Sequence, residues 1–145
     1  MSLKSLLPVL LAITFIGFSA CKKKNKQDDK PVPPVQEEAL KFELPGILVG
    51  KANVALDSTY TFKVKITSKV PEKGVHITLN VQTDPGGIPL EQAAVPDTTA
   101  GEFNIILQHL KEVKTYKVTV SLSSLGNTAN VSTPLDFLIT NKSGG

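Results

Sequence analysis

In residues 115–122, which read TYKVTVSL, apolar and polar side chains alternate without exception. An alternation with a period of two places every second side chain on the same face of a β-strand. This stretch therefore predicts a strand with one face in an apolar core and the other in water. Residues 60–66 (YTFKVKI) and 75–81 (VHITLNV) show the same alternation and predict two further strands of this kind.

Weaker strand patterns complete the set, at 40–44, 47–49, 103–107 and 135–139. Turn-forming residues separate the strands, as in the sequence Asp-Pro-Gly-Gly at 84–87. About seven short strands with one-sided apolar patterning, and no amphipathic helix, are typical of a sandwich of antiparallel sheets. The expected fold class is all-β, and the expected domain covers residues 39–142.

The residues before the strand at 115–122 carry a family resemblance. Leu110 precedes Tyr116 by six residues, and the strand continues Tyr-x-Val-x-Val. This pattern resembles the corner before the sixth strand of fibronectin type III domains, and residues 132–137 (STPLDF) resemble their last strand. The resemblance implies a tyrosine corner, in which the Tyr116 hydroxyl turns back onto the upstream backbone. Because the chain has no Trp, the broader immunoglobulin-like sandwich is the expected architecture.

The first twenty residues have the order of a secretory signal peptide. One lysine, Lys4, precedes an apolar run at 6–18, and small residues follow at Ser19 and Ala20. The run of thirteen residues is shorter than the ~20 that a membrane-spanning helix needs. We therefore expect residues 1–20 to be removed by cleavage between Ala20 and Cys21.

The sequence Phe18-Ser19-Ala20-Cys21 resembles the lipobox of bacterial lipoproteins. The resemblance implies that the Cys21 thiol receives a diacylglyceryl group and that the new amino terminus is acylated, for example with palmitate. The chain as a whole is similar to small lipoproteins of Bacteroidetes-type bacteria. This similarity implies attachment to the outer membrane of the cell envelope, on the periplasmic face or at the cell surface.

Residues 21–38 are expected to form a tether between the lipid and the domain. The sequence of 22–38 is KKKNKQDDKPVPPVQEE, which offers no apolar surface to bury and predicts a disordered or extended segment. The short tail 143–145 is left outside the domain. All sixteen basic residues are lysines, and the lack of Arg argues against a nucleic-acid partner.

The sequence contains few groups for catalysis or metal binding. Two histidines, His76 and His109, are expected at the surface without catalytic partners, and the acidic residues do not form a metal-binding motif. No catalytic residue, metal site or cofactor is therefore expected. The aromatic side chains fall on inward-facing positions, which disfavours a sugar-stacking platform.

Two tripeptides, Asp57-Ser58-Thr59 and Asp97-Thr98-Thr99, resemble the O-glycosylation acceptor of exported Bacteroidetes proteins. The resemblance makes Ser58 and Thr98 candidate glycosylation sites. The same tripeptides are also ordinary turn chemistry, because Asp and Ser/Thr side chains bond to nearby backbone groups.

The function expected from the sequence is a non-enzymatic, lipid-anchored envelope protein whose sandwich makes protein–protein contacts. Its expected partners are the membrane, through the lipid on Cys21, and a protein of the envelope. One alternative is a carbohydrate- or ligand-binding accessory lipoprotein of a nutrient-uptake system. A second alternative is a hydrolase.

Overall fold

Seven strands make up the part of the protein that the structure describes. The structure is a computed structural model that describes residues 36–143, which belong to one compact unit. The strands are β1 (Phe42–Glu43), β2 (Ala52–Ala55), β3 (Tyr60–Ile66), β4 (Val75–Thr83), β5 (Glu102–Leu107), β6 (Thr115–Ser124) and β7 (Leu135–Asn141).

The strands form two sheets, as expected for a β-sandwich. One sheet has the order β1-β3-β5 and the other has the order β2-β7-β6-β4. Four of the five pairings are antiparallel, but β2 and β7 run parallel, with Ala52 opposite Leu138. The expectation of a wholly antiparallel sandwich is therefore wrong at this edge. Because β2 and β7 lie far apart in the chain, no tight turn forces them to run in opposite directions.

The second strand begins later than its apolar residues suggested. Residues 47–49 were expected to form a strand, but they lie in a turn-rich connection, and β2 occupies Ala52–Ala55 instead. The buried side chain of Asn53 accepts a hydrogen bond from the Leu48 N–H (3.0 Å) and donates one to the Leu48 C=O (3.2 Å). These bonds take the Leu48 backbone out of any strand ladder, and Gly50, at φ +70°, completes the turn.

The core lies between the two sheets and follows the alternation that the sequence shows. In β6 the even-numbered residues from Tyr116 to Ser124 are all buried, while the odd-numbered residues are half-buried. The rings of Phe62 and Phe137 meet edge to face across the sandwich, with centroids 5.2 Å apart and planes at 77°. This geometry is the favourable one for two aromatic rings.

The folded contacts begin two residues before the expected boundary at 39. The Asn130 amide donates hydrogen bonds to the Glu37 carboxylate (3.1 Å) and to the Glu38 C=O (2.9 Å). The Glu38 carboxylate accepts a bond from the Lys69 N–H (2.9 Å). Polar side chains at 37 and 38 thus join the domain through hydrogen bonds, which an apolar pattern does not reveal.

The corner before β6 is closed by two buried side chains. The Tyr116 hydroxyl accepts a hydrogen bond from the Lys111 N–H (3.0 Å), and its ring is 1% exposed. Leu110 is also buried, and its C=O accepts a bond from the Asn141 amide (2.8 Å). The backbone at Val113 has a φ of +55°, which a β-branched residue rarely adopts. The contacts of Tyr116 and Asn141 hold this corner in place.

Candidate functional site

The predicted lipidation and cleavage residues, Ala20 and Cys21, lie outside the described residues, as do the signal and most of the tether. Within 36–143, no helix is long and apolar enough to span a membrane.

The two candidate glycosylation residues differ in their surroundings. Ser58 is exposed, and its hydroxyl and backbone N–H both contact the Asp57 carboxylate. Thr98 is half-buried, and its Oγ1 accepts a hydrogen bond from the Ala100 N–H (3.0 Å). The Ser58 side chain is therefore the more accessible of the two acceptors.

The histidines lie apart, and one of them has a charged partner. His76 Nδ1 lies 2.7 Å from Asp97 Oδ1, with both side chains about half exposed. No Ser or Thr hydroxyl among residues 36–143 forms a hydrogen bond with either histidine. The same part of the chain contains no group of three His, Cys, Asp or Glu residues that could hold a metal ion. The His76–Asp97 pair therefore joins two segments of the fold.

The most distinctive surface feature is the outer edge of β4, the last strand of its sheet. Residues 89–98, which we call the strap, run antiparallel along this edge and touch it at both ends. At one end the Leu90 N–H donates to the Val81 C=O (2.8 Å). At the other end the N–H and C=O groups of Val75 and Thr98 bond to each other (2.8 and 3.1 Å).

The strap is too long to pair with β4 throughout. Between the two bridges, Gln82–Pro89 and Val75–Thr98, β4 advances by seven residues and the strap by nine. Two extra residues make the strap bow away from the strand, as in a bulge. A groove of about 380 Å³ opens between them, lined on one side by residues 76–81 and on the other by residues 89–95.

The backbone groups of β4 that face this groove have no partner among residues 36–143. In an antiparallel pair, successive residues direct their N–H and C=O groups to alternate sides. Val75, Val81 and Thr83 direct theirs toward the strap side, and Asp84 bonds toward β6. Ile77 and Leu79 therefore also face the strap side. Neither forms a backbone hydrogen bond there with any residue that the structure describes.

Three contacts fix the strap in its bowed position. The Gln92 side chain pairs with the backbone of Gln108, accepting from its N–H (2.8 Å) and donating to its C=O (2.9 Å). Leu90 and Val95 are half-buried and pack against the core. The His76–Asp97 contact holds the far end. The groove is thus part of the fold, with walls anchored to both sheets.

Beside this edge, the outer face of the four-stranded sheet is rich in hydroxyl and amide groups. It has an ion pair near its centre, in which Lys117 Nζ lies 2.9 Å from Asp136 Oδ2. The hydrogen bond from Lys117 holds the pKa of the Asp136 carboxyl below its ordinary value, and the same bond raises the pKa of Lys117. The pair crosses from β6 to β7 and stabilises their pairing at neutral pH.

No family model, curated protein or solved structure matches this chain. The sequence does not reveal the groove, because the strap sequence PLEQAAVPDT has no strand pattern and the groups that face the groove belong to the backbone. The signal that the sequence does offer is the length of the connection between the strand patterns at 75–81 and 103–107, since long loops in compact domains are often binding loops.

Proposed function

We propose that the protein is a lipid-anchored, non-enzymatic component of a bacterial cell envelope, and that its sandwich contacts another protein through the open edge of β4. The anchor is the lipid on Cys21, and residues 21–35 connect it to the domain. The envelope location rests on the signal and lipobox resemblances of the sequence. The contact surface rests on the structure.

We further infer that the sandwich is of the immunoglobulin-like kind, related in form to fibronectin type III domains. Immunoglobulin constant domains place strands A, B and E in one sheet, with D, and strands C, F and G in the other. Here β1, β3 and β5 share one sheet, while β4, β6 and β7 share the other with β2, an extra strand that pairs parallel to β7. The Tyr116–Lys111 hydrogen bond at the corner before β6 supports the same inference.

The observation that carries the contact function is the pair of unpaired peptide groups at Ile77 and Leu79. Backbone N–H and C=O groups at a sheet edge are a template for pairing with another chain, and proteins usually cover them. In this protein the strap approaches the edge but leaves these groups without a partner in the part of the chain that the structure describes. The strap and β4 are both held in place by the fold, so the gap between them is a fixed feature of the surface. A fixed, open strand edge suits a contact site.

Site-specific photo-crosslinking in intact cells tests this proposal. A photoreactive residue at Asn80, which is exposed on β4, should give a discrete adduct with another envelope protein. The matched control is Lys63, which is exposed on β3 in the opposite sheet and should give none. The same adducts from both positions, or none from Asn80, would contradict the proposed contact surface.

The anchor has its own test. Cys21→Ser should abolish labelling of the protein by an alkyne fatty acid and leave the signal uncleaved or poorly cleaved. It should also leave the folded domain unchanged, because Cys21 lies outside the compact unit that contains residues 36–143. A Cys21→Ser protein that still takes up the fatty acid would show that the anchor is elsewhere.

A second candidate function is glycan or ligand binding through the outer face of the four-stranded sheet. The observation in its favour is the row of aligned polar side chains on β4 and β6, where Thr78 lies opposite Ser121 and Asn80 opposite Thr119. All six described aromatic side chains are buried or half-buried, so no ring is free to stack on a sugar. Binding of the purified protein to a glycan array, lost in Ser121→Lys, would support this function.

A further inference from the structure

We infer that the partner enters the β4 groove as an extended polypeptide segment with basic side chains, and that it forms a new strand between β4 and the strap. This inference rests on the proposed contact function and specifies the form of the partner.

The hydrogen-bonding groups in the groove have the arrangement that an added strand requires. Ile77 and Leu79 each offer one N–H and one C=O on the same side of β4. The two residues are two positions apart, or about 7 Å along the strand. An extended chain presents its own N–H and C=O groups at the same repeat, so it can satisfy all four groups at once. This is the chemistry of strand addition to an open sheet edge.

The length of the groove suits a short extended segment. Residues 76–81 line one side of it, which is about 17 Å at about 3.4 Å per residue. A segment of about six extended residues spans this length. Residues 89–95 of the strap line the other side, so an added strand has a neighbour on each side.

The charges around the groove favour a basic segment. Glu91 is the one formally charged side chain among the described residues that line the groove. Asp84 lies just beyond the end of β4, and Asp97 lies at the opposite end beside His76. Since no lysine lines the groove and Glu91 is its one formally charged lining side chain, an incoming lysine beside Glu91 meets an opposite charge. Such complementarity raises the association rate and sets the preferred partner.

Two alanines in the strap allow a direct test of occupancy. Ala93 and Ala94 line the groove and are exposed, so a larger side chain there fills the groove without entering the core. Ala94→Phe should therefore block an added strand. Ala100→Phe is the matched control, because Ala100 is also exposed but lies outside the groove.

The experiment measures fluorescence anisotropy with the full-length protein in detergent. The probe is a labelled nonapeptide in which lysine alternates with valine. Three comparisons accompany it: the peptide with glutamate for lysine, the peptide N-methylated along both edges, and the protein variants Ala94→Phe and Ala100→Phe. We expect at least about tenfold weaker binding in all three cases. The glutamate peptide loses the charge pairing, the methylated peptide loses the hydrogen bonds, and Ala94→Phe removes the space in the groove. Ala100→Phe should bind like the native protein.

Hydrogen exchange locates the bound probe. Exchange of the amides of Ile77 and Leu79 should slow at least tenfold at saturating peptide, because these amides become hydrogen-bonded. Equal binding of the native and methylated peptides, or no change in exchange at these two amides, would overturn strand addition.

The result separates the inference from the proposed function. If no peptide binds but Asn80 still crosslinks to an envelope protein, the contact function stands and the added strand is wrong. If Asn80 crosslinks to a second copy of this chain, the edge is a homodimer interface and the inference is also wrong. If neither binding nor crosslinking occurs, both proposals fail.

Discussion

The Tyr116 hydroxyl offers the sharpest test of how the fold is held together. Tyr116→Phe removes one oxygen atom and keeps the ring, which is 1% exposed and packed in the core. The lost interaction is the hydrogen bond from the Lys111 N–H at 3.0 Å. No other hydrogen bond of the described residues involves this hydroxyl, so the substitution changes a single contact.

The expected cost follows from the fate of the Lys111 N–H. A net hydrogen bond contributes about 0.5–1.5 kcal/mol, and a buried donor left without a partner costs about 1–3 kcal/mol. The Lys111 side chain is exposed, and its hydrogen bond is only partly buried, so water replaces the lost acceptor in part. We therefore expect a loss of about 1–2 kcal/mol in the free energy of unfolding. For a domain of this size each kcal/mol lowers Tm by about 4 °C or more.

The matched control is Tyr60→Phe on β3. Tyr60 is half-buried, and its hydroxyl forms no hydrogen bond with another described residue. This substitution should change the stability by less than about 0.5 kcal/mol. Thermal and urea unfolding followed by circular dichroism measure both variants, and an unchanged urea m-value confirms that only stability has changed. Equal Tm values for the two variants would refute a stabilising role for the corner hydrogen bond.

Three further outcomes are expected. Gly74→Ala should loosen the strap and speed amide exchange at Thr98, because an added Cβ would lie 2.5 Å from the Thr98 carbonyl oxygen and Gly74 has a φ of +88°; unchanged exchange there would contradict this. Since Lys117 lowers the pKa of Asp136 from 3.8, the pair stabilises the fold above that pH and the stabilisation is lost as the pH falls through the lower folded-state pKa. Asp136→Asn should therefore show a smaller drop in Tm between pH 6 and about pH 3 than the native protein does. Limited trypsin digestion should cut residues 22–30 before it cuts any strand. First cuts within β3 to β6 would show that the domain boundary is wrong.

The alternation of side chains was enough to predict the core. The period of two predicts which side chains are buried, and the structure buries Phe62, Val64, Tyr116 and Val118 accordingly. A strand has two faces, and in a sandwich one of them packs in the core. The family resemblance carried by Leu110 and Tyr116 also pointed to the corner where the structure has the Tyr116–Lys111 bond. These features are local: each depends on residues within one strand or one turn.

The sequence by itself therefore determined the class of fold and most of its strands. The tertiary structure decided which strands are neighbours, including the parallel pairing of β2 with β7. It also decided the roles of the buried amides Asn53 and Asn141, whose partners include backbone groups far away in the chain. The β4 groove is likewise a feature that only the tertiary structure decided. It exists because the strap is two residues longer than the edge it spans, and that mismatch arises only when two distant points of the chain are bridged.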